Sequence, residues 1–543
     1  MSSTHPEGSG HPAGTWGGNS EAAKHASFAI RHHQNEKAVK YFAAGVCGIL
    51  AIFILAHILR HPGGPRANSL GRTVRSVLLR PLPGFTSSGH ALTIAAYTAI
   101  NAAVSFTNVD TGSYGALANR FGWMISGNLC VLVFLALKNT PLGFLVGYSY
   151  ERINILHQAA GYTTVLFTAL HAIMYAVQFM TLNRPEMLRR PSDVSGIVAG
   201  FGMLVMFAMP LLLKGSRYEV FYVSHITSFI IIIVTAALHQ HKIAEGVAIM
   251  TIVAGALWAA DRVLRALRLN YNAWGNYAKL YPLSDGGTRV LVRRPPGQAV
   301  PGQHCFLWIP GARLFETHPF SIVATEPWVE FVVNSRDGFT RDLRALALQK
   351  EGAEVLASLD GPYGTFPDPL HFDRVVIIAG GSGASFAFGV LGSLLSRMGH
   401  DHPTEVEFTW TARESTHLSW YQDHIDSTRS HEHASKISLT LHITRETADN
   451  FAKGKGLEHQ ASFSDVEKAA PTVSAHESAA MNFGRPNIKA LIESSLDRAR
   501  PEQRVLVVTS GPAGLMRDIR KSVAATIRPN GPGVELHCEQ FGW

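Results

Sequence analysis

Cysteine is scarce: Cys47, Cys130, Cys305 and Cys538 are the only four in 543 residues. None forms a CxxC pair, which excludes a disulfide scaffold, a cysteine zinc site and the CxxCH tether of a c-type haem. Charge is scarce too, at 16% of residues against 46% hydrophobic. The mean hydropathy of +0.09 lies between that of a soluble enzyme and that of a membrane bundle. No Asn-x-Ser/Thr sequon occurs, which weakens a glycosylated cell-surface address and admits an internal membrane. Residues 1–38 lack an apolar core, so they are expected to form a flexible polar tail rather than a signal or a domain. The formal charge is +8, from 48 basic and 40 acidic residues. Many of the basic residues stand between apolar runs, where they orient membrane spans and do not grip nucleic acid.

What is abundant is uncharged length. Six runs (41–59, 89–109, 121–137, 153–183, 197–213 and 220–241) contain no Asp, Glu, Lys or Arg, and each is long enough, or nearly so, for a bilayer core of about 30 Å. A seventh run, about 243–260, is weaker because Glu245 and Asp261 bracket it. Arginines crowd the first loop (Arg60, Arg66, Arg72, Arg75, Arg80) and the exit of the seventh run (Arg262, Arg265, Arg268). The positive-inside bias then puts the tail outside and everything after about 270 in the cytosol. Residues 39–269 read as an all-α transmembrane bundle of about seven helices.

Beyond about 275 the pattern changes to short β-branched runs at 289–292, 306–309, 329–333, 375–379, 406–411 and 505–509, broken by Gly and Pro. Residues 275–370 read as an antiparallel barrel. Residues 371–543 read as a parallel α/β domain with an exposed insertion at about 446–482.

Within the membrane half, His157 and His171 are 14 residues apart on the fourth run, and His225 and His239 are 14 apart on the sixth. Fourteen steps of about 100° end about 40° short of four turns, so both histidines of a span face one way, roughly 21 Å apart. Two such helices facing each other make two stacked pairs, each able to give two imidazoles to a haem iron. The other reading is polar core histidines bonded to neighbouring carbonyls, but ionisable groups in hydrocarbon usually have a function. Since the two spans run in the same direction, His157 pairs with His225 and His171 with His239. His241 points elsewhere on its helix, and His57 and His90 have no partner at matching spacing.

In the soluble half, Pro301-Gly302-Gln303 precedes a strand, and His318-Pro319-Phe320-Ser321 follows. A small hydroxyl after an aromatic suits a flavin ring; turn and packing roles are the alternative. Gly338-Phe339-Thr340 opens a helical stretch over 341–349 whose free N–H groups suit a pyrophosphate. Gly361-Pro362-Tyr363-Gly364 is expected to close the segment as a turn. A buried strand then runs into Gly380-Gly381-Ser382-Gly383, and a second turn, Ser510-Gly511-Pro512-Ala513-Gly514, follows a later strand. Two glycine turns in one α/β domain favour a dinucleotide site. Arg413 is placed to meet a ribose 2′-phosphate, which would select NADPH, or is a solvated surface arginine.

The histidine quartet, PGQ, HPFS, GFT, GPYG, GGSG, SGPAG, the Gly484-Arg485-Pro486 triplet and the aromatic end Glu539-Gln540-Phe541-Gly542-Trp543 together resemble the fungal ferric and cupric reductases, relatives of the superoxide-generating NADPH oxidases. The resemblance covers about residues 90 to 543. It implies a membrane domain with two b haems, an FAD barrel and an NADPH lobe. Carried over by motif, it implies His157, His171, His225 and His239 as haem ligands, and His318, Pro319, Phe320, Ser321, Gly338 and Thr340 as FAD contacts. Gly380, Gly381, Gly383, Arg413, Gly511 and Pro512 would contact NADPH, and Ser321, Phe541 and Trp543 would stand at the reacting rings. Ser510 stands where related reductases often have Cys. The implied activity is NADPH-dependent reduction of ferric or cupric chelates across a membrane, the plasma membrane or an internal one, with a superoxide-generating oxidase as the alternative. Membrane lipid is the expected environment, and a homo-oligomer is compatible with the motifs.

Overall fold

The uncharged runs become helices because in hydrocarbon a backbone must satisfy its own N–H and C=O groups. The structure is a computed structural model that describes residues 16–60, 69–147, 150–239, 246–447 and 480–539. The chain divides into two units, one of Met1–Leu50, Ala95–Phe134 and Leu156–Leu257, the other of Ala51–Ile94, Leu135–Ile155 and Trp258–Trp543. Among the described residues the N-terminal half holds α1 (Trp16–Arg60), α2 (Ser69–Leu79), α3 (Ser88–Phe106), α4 (Tyr114–Ala136), α5 (Leu142–Val146), α6 (Tyr150–Thr181), α7 (Pro191–Leu213), α8 (Tyr218–His239) and α9 (Gly246–Ala273). Among the described residues six stretches are long and apolar enough to cross a membrane: Ser27–Ile58, Tyr114–Ala136, Ile153–Thr181, Pro191–Leu213, Tyr218–His239 and Gly246–Ala273.

Four sequence expectations change here. The flexible tail expected through residue 38 is helical from Trp16 onward, and its polar residues find partners. Asn35 is buried, donates to Asn119 Oδ1 (2.9 Å) and accepts from Arg120 Nε (2.6 Å). The third run starts earlier than Phe121, because α4 takes in Arg120, whose guanidinium also donates to the carbonyls of Val104, Thr107 and Asn108 at the end of α3. Those carbonyls are the unsatisfied groups that a helix end presents, and a cation there is favourable. The weak seventh run is a continuous helix of 28 residues that carries Asp261 inside it. That carboxylate accepts from Asn139 N (3.0 Å) and Nδ2 (2.8 Å) and pairs with Arg262 (2.5 Å). The second run forms α3, a 19-residue helix outside the six stretches; its Asn101 accepts from Asn128 Nδ2 of α4 (2.7 Å).

Among its described residues the second half contains two antiparallel sheets and one parallel sheet. The first sheet has the order β5-β2-β1-β6 and the second β4-β3-β7. Their strands are β1 (Tyr277–Pro282), β2 (Gly287–Val292), β3 (His304–Trp308), β4 (His318–Ser321), β5 (Val329–Asn334), β6 (Glu354–Leu356) and β7 (Ser358–Tyr363), with α10 (Phe339–Gln349) between β5 and β6. Their shared core includes Leu280, Val290, Phe331, Leu343 and Leu359.

The parallel sheet has the order β11-β10-β9-β8-β12-β13, from β8 (Arg374–Gly380), β9 (Glu405–Ala412), β10 (Ile437–Ile443), β11 (Ala480–Phe483), β12 (Arg504–Ser510) and β13 (Gly533–Glu539). Helices α11 (Ala384–Leu395), α12 (Gln422–Ser430), α13 (Ile488–Asp497) and α14 (Ala513–Thr526) connect the strands. Alternation along β8 divides its side chains between two faces: Val375, Ile377 and Ala379 pack with Phe388 and Leu391 of α11. Val376 and Ile378 pack with Met516 and Ile519 of α14. Burial on both faces explains why this strand reads as an unbroken apolar run.

Gly361-Pro362-Tyr363, expected as a turn, lie inside β7. Gly361 makes this register feasible, because a Cβ there would stand 2.9 Å from the Cys305 Sγ on β3. The insertion at 446–482 lies largely outside the described residues.

Candidate functional site

The structure brings the four histidines together as two pairs within one unit. The rings of His171 on α6 and His239 on α8 have centroids 6.1 Å apart and planes at 87°. His157 and His225 lie within electrostatic range of each other. Three of the four are oriented by backbone: Nδ1 donates to the carbonyl of Ala118 from His171 (2.8 Å), to that of Ser192 from His239 (2.8 Å) and to that of Leu132 from His157 (3.1 Å). A carbonyl can only accept, so each Nδ1 carries the proton and each Nε2 keeps its lone pair. The Nδ1 of His225 is buried with no hydrogen-bond partner among the described residues.

Glycines make room for two of these rings. A Cβ at Gly196 of α7 would stand 2.6 Å from His239 Nδ1, and one at Gly122 of α4 would stand 3.0 Å from His171 Cε1. The sequence reading missed both, although each is a small residue inside an apolar run, the usual signal of close approach between membrane helices.

In the antiparallel region the separate motifs converge. Ser321 ends β4 opposite His304, Ile322 N donates to Gln303 O (2.8 Å), and Gln303 Nε2 donates to Gly364 O (3.1 Å). The PGQ, HPFS and GPYG segments therefore meet at one place. His304 sits there fully buried, and burial, helped by the charge of Lys138, pushes its pKa down to about 3. It is neutral at physiological pH.

Phe339, the middle residue of GFT, stacks on His318 at 4.5 Å and lies 6.2 Å from Phe320. Gly338 caps α10 at φ 69° and ψ −137°, a left-handed conformation suited to glycine. Thr340 Oγ1 accepts from Arg336 N (2.8 Å) and so ties the turn to the helix start. Beside it, Arg313 bridges Asp342 (2.8 Å) and Glu316 (2.7 Å), and His318 reaches Glu316 (3.1 Å). Although burial opposes it, hydrogen bonds from Arg313 and His318 hold the Glu316 carboxyl below its ordinary range.

The two glycine turns stand side by side because β8 and β12 are parallel neighbours, with Ala379 opposite Ser510. Chain order reverses there: β9 lies on one side of β8 and β12 on the other, the crevice where open α/β sheets bind ligands. Backbone contact is close. A Cβ at Gly383 would stand 2.3 Å from Ser510 O, one at Gly511 3.0 Å from Gly380 N, and one at Gly380 2.9 Å from Pro512 Cδ. Gly381 has φ 56°, and the buried Trp410 donates its indole N–H to Gly381 O (3.1 Å). Arg413 follows β9 and is exposed.

Trp410 and Gly389 were not singled out from the sequence. A Cβ at Gly389 of α11 would stand 2.4 Å from Ile322 O and 2.5 Å from Gly302 N, so this glycine lets α11 press against the joined PGQ and HPFS segments. Its only sequence signal is a glycine inside a helix. Phe541 and Trp543 lie outside the described residues.

These features are those of a multi-pass membrane protein whose helices are followed by an antiparallel-sheet domain and a parallel-sheet domain with paired glycine turns. Three family models match the chain in order: the ferric reductase like transmembrane component over residues 121–236, an FAD-binding domain over 276–366 and the ferric reductase NAD binding domain over 372–524. The chain carries the transmembrane, FAD-binding and NAD-binding domains of ferric reductases in order and is related to fungal ferric and cupric reductases. It is 25% identical over 442 residues to ferric reductase transmembrane component 5 of Saccharomyces cerevisiae, covering 78% of this chain and 61% of that protein. It is 23% identical over 451 residues to a probable ferric reductase transmembrane component of Candida albicans, covering 79% and 65%. The chain thus spans less than two thirds of the length of these relatives. Among solved structures, flavohemoglobin from Malassezia yamatoensis is similar at 15% identity and a TM-score of 0.36, over 79% of this chain and 99% of that chain.

Proposed function

We propose that the protein is a transmembrane ferric or cupric reductase that carries electrons from cytosolic NADPH through FAD and two b haems to metal chelates on the opposite side of the membrane, in support of iron or copper uptake. The plasma membrane is the proposed address. Residues 39–269 would form the haem domain, 275–370 the FAD barrel and 371–543 the NADPH lobe, with its insertion at about 446–482.

The observation that carries this reading is the 6.1 Å apposition of His171 and His239, each anchored through Nδ1. A separation of this size leaves room for one metal ion between two imidazoles that bind it through bonds of about 2 Å, so His171 and His239 would hold a haem iron together. Carbonyl-anchored Nδ1–H groups are also the usual support of metal-binding histidines. His157 and His225 offer a second donor set of the same kind, and the partnerless His225 Nδ1 fits a ring whose orientation is completed by ligation.

When bound, the nicotinamide, flavin and haems supply the redox chemistry: a two-electron donor, a carrier that releases electrons singly, and two one-electron relays. The chain's own groups do the positioning. Gly380, Gly381, Gly383, Gly511 and Pro512 leave backbone room for a pyrophosphate at the starts of α11 and α14. Arg413 would meet the 2′-phosphate that distinguishes NADPH from NADH. Gly338 and Thr340 shape the start of α10 for the FAD pyrophosphate, His318, Pro319 and Phe320 would pack against the flavin, and the Ser321 hydroxyl would donate to its ring. Phe541 and Trp543 would cover the flavin face where the nicotinamide arrives. His157, His171, His225 and His239 would hold the haems, which would supply one-electron relay toward the metal chelate.

The test is a visible spectrum of the detergent-purified chain before and after NADPH, with haem quantified per chain. Two low-spin b haems that NADPH reduces are expected. A folded, flavin-loaded protein without haem would leave a membrane-anchored flavin reductase in place of this reading.

A further inference from the structure

Helix α2 exposes its apolar face. Its polar side is occupied: Arg72 Nη1 donates to Pro529 O (3.1 Å) and to Gly531 O just beyond α14, and Leu79 packs against the core beneath α14. On the opposite side Leu70, Val74, Val77 and Leu78, at i, i+4, i+7 and i+8, form one stripe whose residues are 69, 47, 46 and 37% exposed. The stripe continues past the helix into a tight turn, Leu82 to Phe85, closed by Phe85 N donating to Leu82 O (2.9 Å). Both of these residues are exposed as well. Contiguous apolar surface of this kind marks an interaction site.

The surroundings identify the occupant. Arg80 O, just after α2, accepts from both Ser88 N (2.7 Å) and Ser88 Oγ (2.9 Å), which fixes the end of α2 at the first residue of α3. Before it, α1 contains a stretch able to cross a bilayer that ends at Ile58. A helix that closely follows the end of such a stretch in sequence would lie at the level where hydrocarbon gives way to headgroups. The exposed Arg80 adds positive charge beside the stripe. An apolar stripe flanked by arginine on a short helix is the pattern of one lying in the plane of a membrane interface, and arginine there favours acidic headgroups.

We infer that α2 and the Leu82–Phe85 turn form an interfacial anchor, which buries Leu70, Val74, Val77, Leu78 and Phe85 at the headgroup boundary of an acidic bilayer while Arg72 holds the nicotinamide-binding lobe to the same helix. The inference rests on the membrane character of the chain and is independent of the acceptor that the reductase uses.

The test places an environment-sensitive fluorophore on Val74→Cys, in a Cys47→Ser background, in the full chain reconstituted into phosphatidylcholine–phosphatidylserine nanodiscs. A matched probe on the exposed Asp401→Cys serves as the aqueous reference. Lipids carrying a quencher near the headgroup should quench the Val74 probe several-fold more than the Asp401 probe, while aqueous iodide should do the reverse. Leaving out phosphatidylserine should raise iodide access at Val74 and leave Asp401 unchanged. Equal iodide quenching at both positions, with no effect of the lipid quencher, would overturn the inference. So would a Val74 probe shielded from both quenchers and cross-linking to a second copy, because the stripe would then be a chain–chain contact. The haem content and NADPH response of the same samples report separately on the reductase reading.

Discussion

The membrane helices and the parallel α/β lobe build their sites from opposite materials. On α6 and α8 the candidate groups are side chains, four imidazoles set by a 14-residue spacing, three of them aimed by backbone carbonyls of neighbouring segments. At the ends of β8 and β12 the working groups are backbone, and the side chains are chiefly absent, with Gly380, Gly383 and Gly511 in mutual contact. Losing a side chain should therefore empty the first site and spare the fold, whereas adding one should break the second.

The largest expected effect comes from emptying a pair. His171→Ala should remove one of two haems, abolish reduction of an external ferric chelate and leave NADPH-driven flavin bleaching at its normal rate; haem per chain and stopped-flow absorbance check this. Next comes Gly383→Ala, whose methyl would meet Ser510 O at 2.3 Å. It should cost about 3 kcal/mol, seen as a lower flavin-release temperature, together with lost NADPH binding.

Gly196→Ala puts a methyl of the same size into the membrane half, 2.6 Å from His239 Nδ1. If the contrast holds, it should shift the spectrum or potential of one haem without unfolding the protein, and Gly122→Ala, with its looser 3.0 Å contact, should do less. Arg413→Ala should raise KM for NADPH roughly tenfold or more, the weight of a charged hydrogen bond, with kcat and the KM for NADH unchanged.

The smallest effect is on pH dependence. His304 has an ordinary pKa near 6.5 in the unfolded chain and about 3 when folded. The unfolded state therefore binds the extra proton, so stability is complete above about pH 6.5 and declines as pH falls from there toward 3. His304→Phe should flatten that slope by up to one proton, measured by denaturant midpoints across the range.

The elements that the sequence made legible are those whose pattern is local. The apolar strands at 375–379 and 505–509 and the helix after Gly338 all stand where the period and the glycines put them. The 14-residue histidine spacing is equally local, and the pairing of His171 with His239 results from it once both helices are formed. What stayed hidden depends on contacts distant in sequence. Nothing in residues 16–38 announces a helix, because the partner that accommodates Asn35 is Arg120, 85 residues away. Asp261 looked like the end of a span because the backbone and side-chain N–H groups that solvate its carboxylate belong to Asn139, 122 residues away. The GPYG segment carries the residues of a turn, yet Gly361 is spent on letting β7 lie against Cys305, and Gly389 reveals its use only when α11 meets Ile322.

The last turns of α9 belong structurally to the antiparallel strands of the flavin-binding domain. Arg265 and Arg268 both pair with the buried Asp360 (2.6 and 3.2 Å), Arg268 reaches Tyr363 Oη (3.1 Å), and Asn272 Nδ2 donates to Leu359 O (2.7 Å). Ser358 Oγ in turn donates to Leu269 O (2.6 Å). For anyone building chimeras, the seam between modules is therefore not the glycine at 275, where secondary structure changes. A flavin module transplanted from a relative should bring its own residues equivalent to 258–273, because a graft cut at 275 would separate a carboxylate from both of its arginines and leave it buried and unpaired.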